Sequence, residues 1–334
     1  MKYGVVTASL AALFGLSGMA SQAIAADEVI FGTNWKAQAE HGGYYYAVAE
    51  GIYERYGLDV SIRPGGPQVN HAQLLAAGKI DFYMGGNLFG QFNFTQNEIP
   101  MITVAAIFQK EPQVLLAHPD QGINGFEDLG DKTVIISKDG ELTYWNWLKE
   151  VYGLADEQIK PYTFNPAPFL ADTNAVQQGY ITSEPFAIEQ QGGFKPEILV
   201  MADAGYDTYS TTIVTSQALV DDNADLVQRF VNASIEGWYG YLYGDQTKAN
   251  ELIKQDNPDM TDAQIAYSTN AMKEFGIVDS GDALELGIGA MSDARWESFF
   301  SKAAGWGLYP EDLAYQTGYT LEFVNKGHGL DLKP

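Results

Sequence analysis

VIFGTNWKAQAEHGGYYYAVAEGIYERYGLDVSIRPGGPQVNHAQLLAAGKIDFYMGGN, residues 29–87, repeats one structural rhythm. Val29-Ile30-Phe31 is a short apolar run that ends in Gly32-Thr33-Asn34-Trp35, a strand feeding a loop. Tyr45, Val48, Ala49, Ile52 and Tyr56 then recur at helical spacing until Gly57 stops them. Leu58, Val60 and Ile62 alternate as a second strand, closed by Pro64-Gly65-Gly66-Pro67. Val69 to Ala77 reads as a helix, and Ile80, Phe82 and Met84 alternate as a third strand that ends in a Gly85-Gly86-Asn87 turn. Strand and helix in strict alternation predict parallel strands with helices laid on their faces.

Upstream, Lys2 precedes an apolar run from Val5 to Leu16 and the small-residue site Ala23-Ile24-Ala25. That pattern predicts a cleavable secretory signal over residues 1–25, its run too short to span a bilayer comfortably. Export is therefore expected. With Cys 0 there is no thiol to carry a lipid anchor, so the mature chain is expected free in a periplasm.

Downstream the rhythm restarts. Met101 to Phe108 reads as a strand broken by Gln109-Lys110-Glu111-Pro112, and Val114 to Ala117 and Val134 to Ser137 as further strands. A helix is predicted from Leu142 to Tyr152, then strands at Tyr162-Thr163-Phe164, Tyr180-Ile181-Thr182, Ile198-Leu199-Val200 and Thr211 to Thr215. Beyond Ser216 helical spacing dominates, at Leu226 to Tyr243, Ala249 to Gln255, Asp262 to Phe275 and Asp293 to Ala304. Two α/β units and a helical tail predict two lobes joined by hinge strands. A ligand cleft forms in such an arrangement where strand ends and helix starts of both lobes face one another. Four loops are nominated: 34–41, 85–88, 137–144 and 182–186.

Composition narrows the function. Lys+Arg 19 against Asp+Glu 43 leaves a formal charge of −24, which repels phosphate backbones and anionic membrane faces and excludes nucleic acid as an expected partner. Cys 0 excludes disulfides, thiolate metal sites and cysteine nucleophiles. The four histidines, His41, His71, His118 and His328, share no metal-ligand spacing. No Gly-x-Ser-x-Gly elbow occurs, and Ser183-Glu184 has no evident partner base. Neither catalysis nor a cofactor is expected.

At Asn34-Trp35, His41-Gly42-Gly43-Tyr44, Gly51-Ile52-Tyr53, Tyr56-Gly57-Leu58-Asp59-Val60 and Ala76-Ala77-Gly78-Lys79-Ile80-Asp81 the sequence resembles the solute-binding proteins of ABC importers. The resemblance continues through Phe126-Glu127-Asp128-Leu129-Gly130 and Gly179-Tyr180-Ile181-Thr182-Ser183-Glu184-Pro185. It points to the group that binds sulfonates, nitrate and the thiamine pyrimidine precursor, with the related yeast pyrimidine synthases. It implies an α/β, two-lobed Venus-flytrap fold, each lobe a mixed sheet covered by helices, with two hinge crossovers. Residues 26–110 and 212–334 would form the first lobe and residues 111–211 the second. It also implies a small-molecule solute, an inner-membrane ABC permease as partner, no direct membrane insertion, and a monomer. The cysteine-rich segment of the synthases has no counterpart here, which argues against synthase activity.

The expected ligand-binding residues are Asn34, Trp35, His41, Gly86, Asn87, Ser137, Tyr144, Glu184 and Phe186. Trp35 offers a flat face for stacking, or else seals the core of its lobe. His41 stands at a helix start, where it either caps or touches solute. Tyr45 fits the buried helical stripe, leaving Tyr44 or Tyr46 for the cleft. Gly85-Gly86-Asn87 and Ser137-Lys138-Asp139-Gly140-Glu141 read as turns presenting free backbone N–H groups. Pro185 fixes the Glu184 carboxylate at a helix start, either to stabilise that helix or to accept from a ligand amine. In pyrimidine-binding members of the resembled family a glutamate of this segment has the second role. Tyr144 or Phe186 would stack on the solute from the second lobe. Arginine is absent from all four loops, and only Lys36 and Lys138 lie near them. An aminopyrimidine of the thiamine type is therefore expected, ahead of a sulfonate, an aromatic acid or a riboflavin-like ring. An exported pyrimidine-processing enzyme of the same fold is the reading from another class.

Overall fold

Residues 1, 4, 25–66 and 69–334 are described by a computed structural model; the apolar run of the expected signal, and Pro67 and Gln68, lie outside the described residues. Ten strands fall into two five-stranded sheets. The first contains β1 (Asp27–Gly32), β2 (Leu58–Arg63), β3 (Phe82–Asn87) and β4 (Met101–Phe108). The second is built from β5 (Gln113–Ala117), β6 (Thr133–Ile136), β7 (Ile159–Pro161), β8 (Ala175–Tyr180) and β9 (Glu197–Val200). The chain then returns to the first sheet with β10 (Ser210–Ser216). Strand orders are β2-β1-β3-β10-β4 and β7-β6-β8-β5-β9. β1 pairs in parallel with β2 and β3, and β6 with β7 and β8, while β10 runs antiparallel to β3 and β4, and β5 antiparallel to β8 and β9. Both sheets are therefore mixed, with two chain crossovers between them.

The helices that frame the space between the sheets are α1 (Gly42–Ala49), α2 (Leu88–Gln96), α3 (Lys138–Leu142), α4 (Tyr144–Tyr152), α5 (Glu184–Gly192), α6 (Ala224–Tyr243), α7 (Asp262–Glu274) and α8 (Asp293–Gly305). In the first lobe α6 lays Phe230 flat against Phe82, ring centroids 4.1 Å apart, and stacks it on Tyr53. α1 and α6 cross closely because glycines face each other: a Cβ at Gly237 would lie 2.2 Å from the Gly43 carbonyl oxygen. That crossing uses the tyrosines of α1 as packing. Tyr44 is fully buried against Phe31 and Trp238, Tyr45 donates to Asp256, and Tyr46 lies over Gly240. Neither Tyr44 nor Tyr46 therefore serves the cleft.

Some local expectations need correction. Gly85-Gly86-Asn87 is no turn but the end of β3, held in the ladder by β10, with Asn87 Oδ1 accepting the Phe89 N–H to cap α2. Residues 137–141 form a short helix rather than a turn. Ser137 Oγ accepts the Gly140 N–H as its N-cap, and the helix expected from Leu142 breaks at Thr143 into α3 and α4. Tyr162-Thr163-Phe164 lies just past β7, which ends at Pro161.

Candidate functional site

The crossovers run from β4 to β5 and from β9 to β10, and α8 holds them side by side. The Arg295 guanidinium donates to the carbonyls of Gln109 on the first and of Asp207 (3.1 Å) and Thr208 (3.3 Å) on the second, and covers the Tyr209 ring at 4.1 Å. Lys110 pairs with Asp203 at 2.6 Å, again linking one crossover to the other. Tyr206 is the pivot between the lobes. It is fully buried, with Trp147 of lobe II 5.2 Å away and Phe299 and Phe89 of lobe I at 5.5 and 6.1 Å.

Beside these crossovers a cavity of about 200 Å³ opens between the lobes. Gly86, Asn87 and Phe89 line it from the first lobe, Asp139 and Tyr144 from the second, Tyr180 from the end of β8, and Glu111, Gln113 and Tyr206 from the crossovers. The walls are held rigidly. Tyr144 donates to Gln178 Oε1 at 3.0 Å, an acceptor that also takes the Ser137 N–H, and Asn87 Nδ2 reaches the Tyr206 hydroxyl at 3.4 Å. Gly140 makes room for Tyr144, since a Cβ there would lie 2.3 Å from its hydroxyl.

Glu111 is the exceptional group. Its side chain is 2% exposed, and among the described residues its Oε2 has no hydrogen-bond partner. Burial pushes its carboxyl up to about 8, and the charge of Asp139 adds to that. Among the described residues no lysine or arginine lines the cavity. Lys36 and Lys138, the cations closest to the expected loops, turn instead to Asp259 (3.6 Å) and Glu141 (2.5 Å).

Away from this cavity the lobes touch. The Trp35 ring meets Phe164 across the cleft mouth at 5.1 Å, and Phe164 leans on Tyr162 at 5.2 Å. Glu40, on the first lobe, accepts from the Thr182 hydroxyl of the second. From α7, Ser268 Oγ donates to the Thr182 carbonyl at 2.6 Å and the Tyr267 hydroxyl to the Ile181 carbonyl at 3.1 Å. Burial raises the Glu40 carboxyl to about 7 and lowers the neighbouring His41 imidazole to about 3.

Of the expected residues, the structure brings Gly86, Asn87 and Tyr144 together around the cavity and places the others elsewhere. Asn34 Oδ1 accepts from His41 Nε2 at 3.1 Å, which ties both to the base of α1. Trp35 faces Phe164, and Ser137 spends its hydroxyl on a helix cap. Glu184 takes the Tyr180 N–H at 2.7 Å and the Tyr162 hydroxyl at 3.3 Å, so its oxygens brace the cavity wall; burial raises its carboxyl. Phe186 packs on Tyr267 of α7, ring centroids 5.4 Å apart, and not on the cavity. Glu111, Asp139, Tyr180 and Tyr206 were not singled out from the sequence. For Glu111 a signal existed: a carboxylate set between two mainly apolar strands.

A family described as NMT1/THI5 like matches residues 38–249. Among curated proteins, the riboflavin-binding protein RibY of Chloroflexus aurantiacus is 25% identical over 299 residues, 85% of this chain and 82% of that one. The periplasmic aliphatic sulphonate binding protein SsuA from Escherichia coli has a similar structure, with TM-score 0.64 at 15% identity over 87% of this chain and 91% of that one. The desulfurization enzyme DSZB follows the same path with TM-score 0.57 at 14% identity, over 89% of this chain and 97% of that one. The fold is thus that of the periplasmic binding proteins, and one that also hosts an enzyme, so activity has to be read from the site.

Proposed function

Since this chain belongs to the NMT1/THI5-like family, we propose that it is the solute-capturing component of an ABC importer. In this reading it is exported to the periplasm and closes its lobes over a small planar solute bearing an amino group, a thiamine-type aminopyrimidine. The observation that carries the reading is the cavity between the lobes, walled by tyrosines and by the carboxyls of Glu111 and Asp139 without a basic side chain. A sulfonate or nitrate would meet those carboxyls and find no arginine or lysine to neutralise it. The tyrosine walls suit a flat ring, whose amino group would donate to the free oxygen of Glu111.

Size supports a single ring. A cavity of about 200 Å³ has room for roughly six or seven waters at about 30 Å³ each. That falls below the roughly 300–1,000 Å³ of sites for drug-sized ligands. The match to RibY favours a second reading, a flavin, for which the lobes would have to close less far. Capture in either case follows from the two crossovers: the open form admits the solute, and the Trp35–Phe164 and Glu40–Thr182 contacts form as the lobes shut.

Native mass spectrometry of the purified mature protein, followed by denaturation and identification of the released molecule, tests this. A single-ring amine, released unchanged and one per chain, is expected. Riboflavin would select the second reading, a sulfonate would overturn both, and a mixture of substrate and product would assign an enzyme.

A further inference from the structure

We propose that Glu111, with Tyr144, Tyr180 and Tyr206 around it, forms a seat for an ammonium group, so that the captured solute is an organic cation. This rests on the reading of the interlobe cavity as the solute site and narrows its chemistry.

Glu111 lies in the first crossover between β4 and β5, two strands buried along their whole length. A residue needed there only to turn the chain has no use for a charge. Its neighbours turn their amide nitrogens to the chain, Gln109 Nε2 to the carbonyls of Ala106 and Ala290 at 2.8 Å and Gln113 Nε2 to that of Gly179 at 3.0 Å, while Gln109 Oε1 is buried without a partner among the described residues. Glu111 likewise keeps a buried oxygen, Oε2, without a partner among the described residues, and unlike Gln109 it belongs to the cavity lining. A buried polar atom left in that state costs free energy, which a ligand donor recovers.

Closure strengthens the argument. Asp139, from the opposite lobe, lines the same small space, so shutting the cleft brings two carboxyls towards each other. With no cation between them the raised carboxyl of Glu111 keeps its proton at neutral pH, and a bound cation lets that proton leave and makes partners of both groups. Tyr144, Tyr180 and Tyr206 line the same space, and an aromatic ring that offers its face there would favour a cation as well. Tyr144 and Tyr206 stand edge to face at 6.4 Å, giving two walls at nearly a right angle. The cation is organic: among the described residues no three His, Cys, Asp or Glu side chains gather as metal ligands.

The test compares two pairs of probes by titration calorimetry on the mature protein. One pair is benzylammonium and benzyl alcohol; the other is the hydroxymethyl aminopyrimidine precursor of thiamine and its aminomethyl analogue. Wild-type protein is expected to bind the ammonium member of each pair about tenfold or more tightly than its neutral partner. Glu111→Gln, with its unfolding curve recorded to show that it folds, is expected to erase that preference. No preference in the wild-type protein, which needs no variant, overturns the cation seat, and so does a preference that survives Glu111→Gln. If both pyrimidines bind no better than the benzyl compounds, the aminopyrimidine reading falls while the cation preference is still scored on the benzyl pair.

Discussion

Trp35 and Phe164 come from opposite lobes and meet at 5.1 Å, with Phe164 54% exposed and at a left-handed φ of 60°. A bulky residue holds that backbone only when its surroundings compensate, and here the compensation is the partner ring. An aromatic pair of this kind contributes about 0.5–1.5 kcal/mol beyond its buried area. Trp35→Ala should therefore weaken capture of any solute by a factor of about two to ten, since it removes a contact of the closed form and no ligand contact. In a double-mutant cycle with Phe164→Ala the two losses should not add. Additive losses would show that each ring acts alone, with Trp35 on the solute. The same residues show where sequence reading reaches its end. Trp35 was legible as an aromatic on a strand-end loop, but its partner lies 129 positions along the chain and nothing local points to it. Arg295 is a harder case: on a helix of ordinary apolar spacing it reads as a surface charge, yet it joins both crossovers.

At the scale of elements, residues 29–87 were readable because alternation and helical spacing are local properties that the sheet merely collects. The segment 137–144 was misread because a serine cap and a glycine look alike in a turn and in a short helix. The link between the base of α1 and the end of β8 carries a pH dependence of its own. Glu40 is buried, and its carboxyl is raised from the ordinary 4.5 to about 7. The folded chain thus keeps a proton that the unfolded chain sheds above 4.5. Its contribution to stability is complete below that value and is lost as pH climbs to about 7. Unfolding free energies from urea titrations should fall between about pH 5 and about pH 8 in the wild-type protein, and fall less in Glu40→Gln, by an amount on the order of a few kcal/mol. His41, lowered to about 3, loses stability towards acid instead and is common to both proteins, so the comparison removes it. An equal fall in the two proteins would mean that Glu40 ionises freely.

For the whole molecule, two lobes on paired crossovers make one soft motion, and α8 confines it by tying the crossovers together. Small-angle scattering should show a radius of gyration of about 20 Å for the solute-bound protein. A larger value is expected for the solute-free double variant Trp35→Ala, Thr182→Val, which lacks two of the contacts that shut the cleft. Identical values with and without solute would remove hinge closure from the capture step.

The place of β10 also sets an order of assembly. It is the strand that joins β3 to β4, yet it is synthesised only after every strand of the second sheet. Lobe II, continuous from Gln113 to Val200, has all its strands in hand first and needs nothing later to complete its ladder. Lobe I, holding the fully buried β4 with no neighbour, has to wait. Its sheet cannot close from the N-terminal side, whatever the local preferences of residues 29–87. The half that finishes last is the half that begins first.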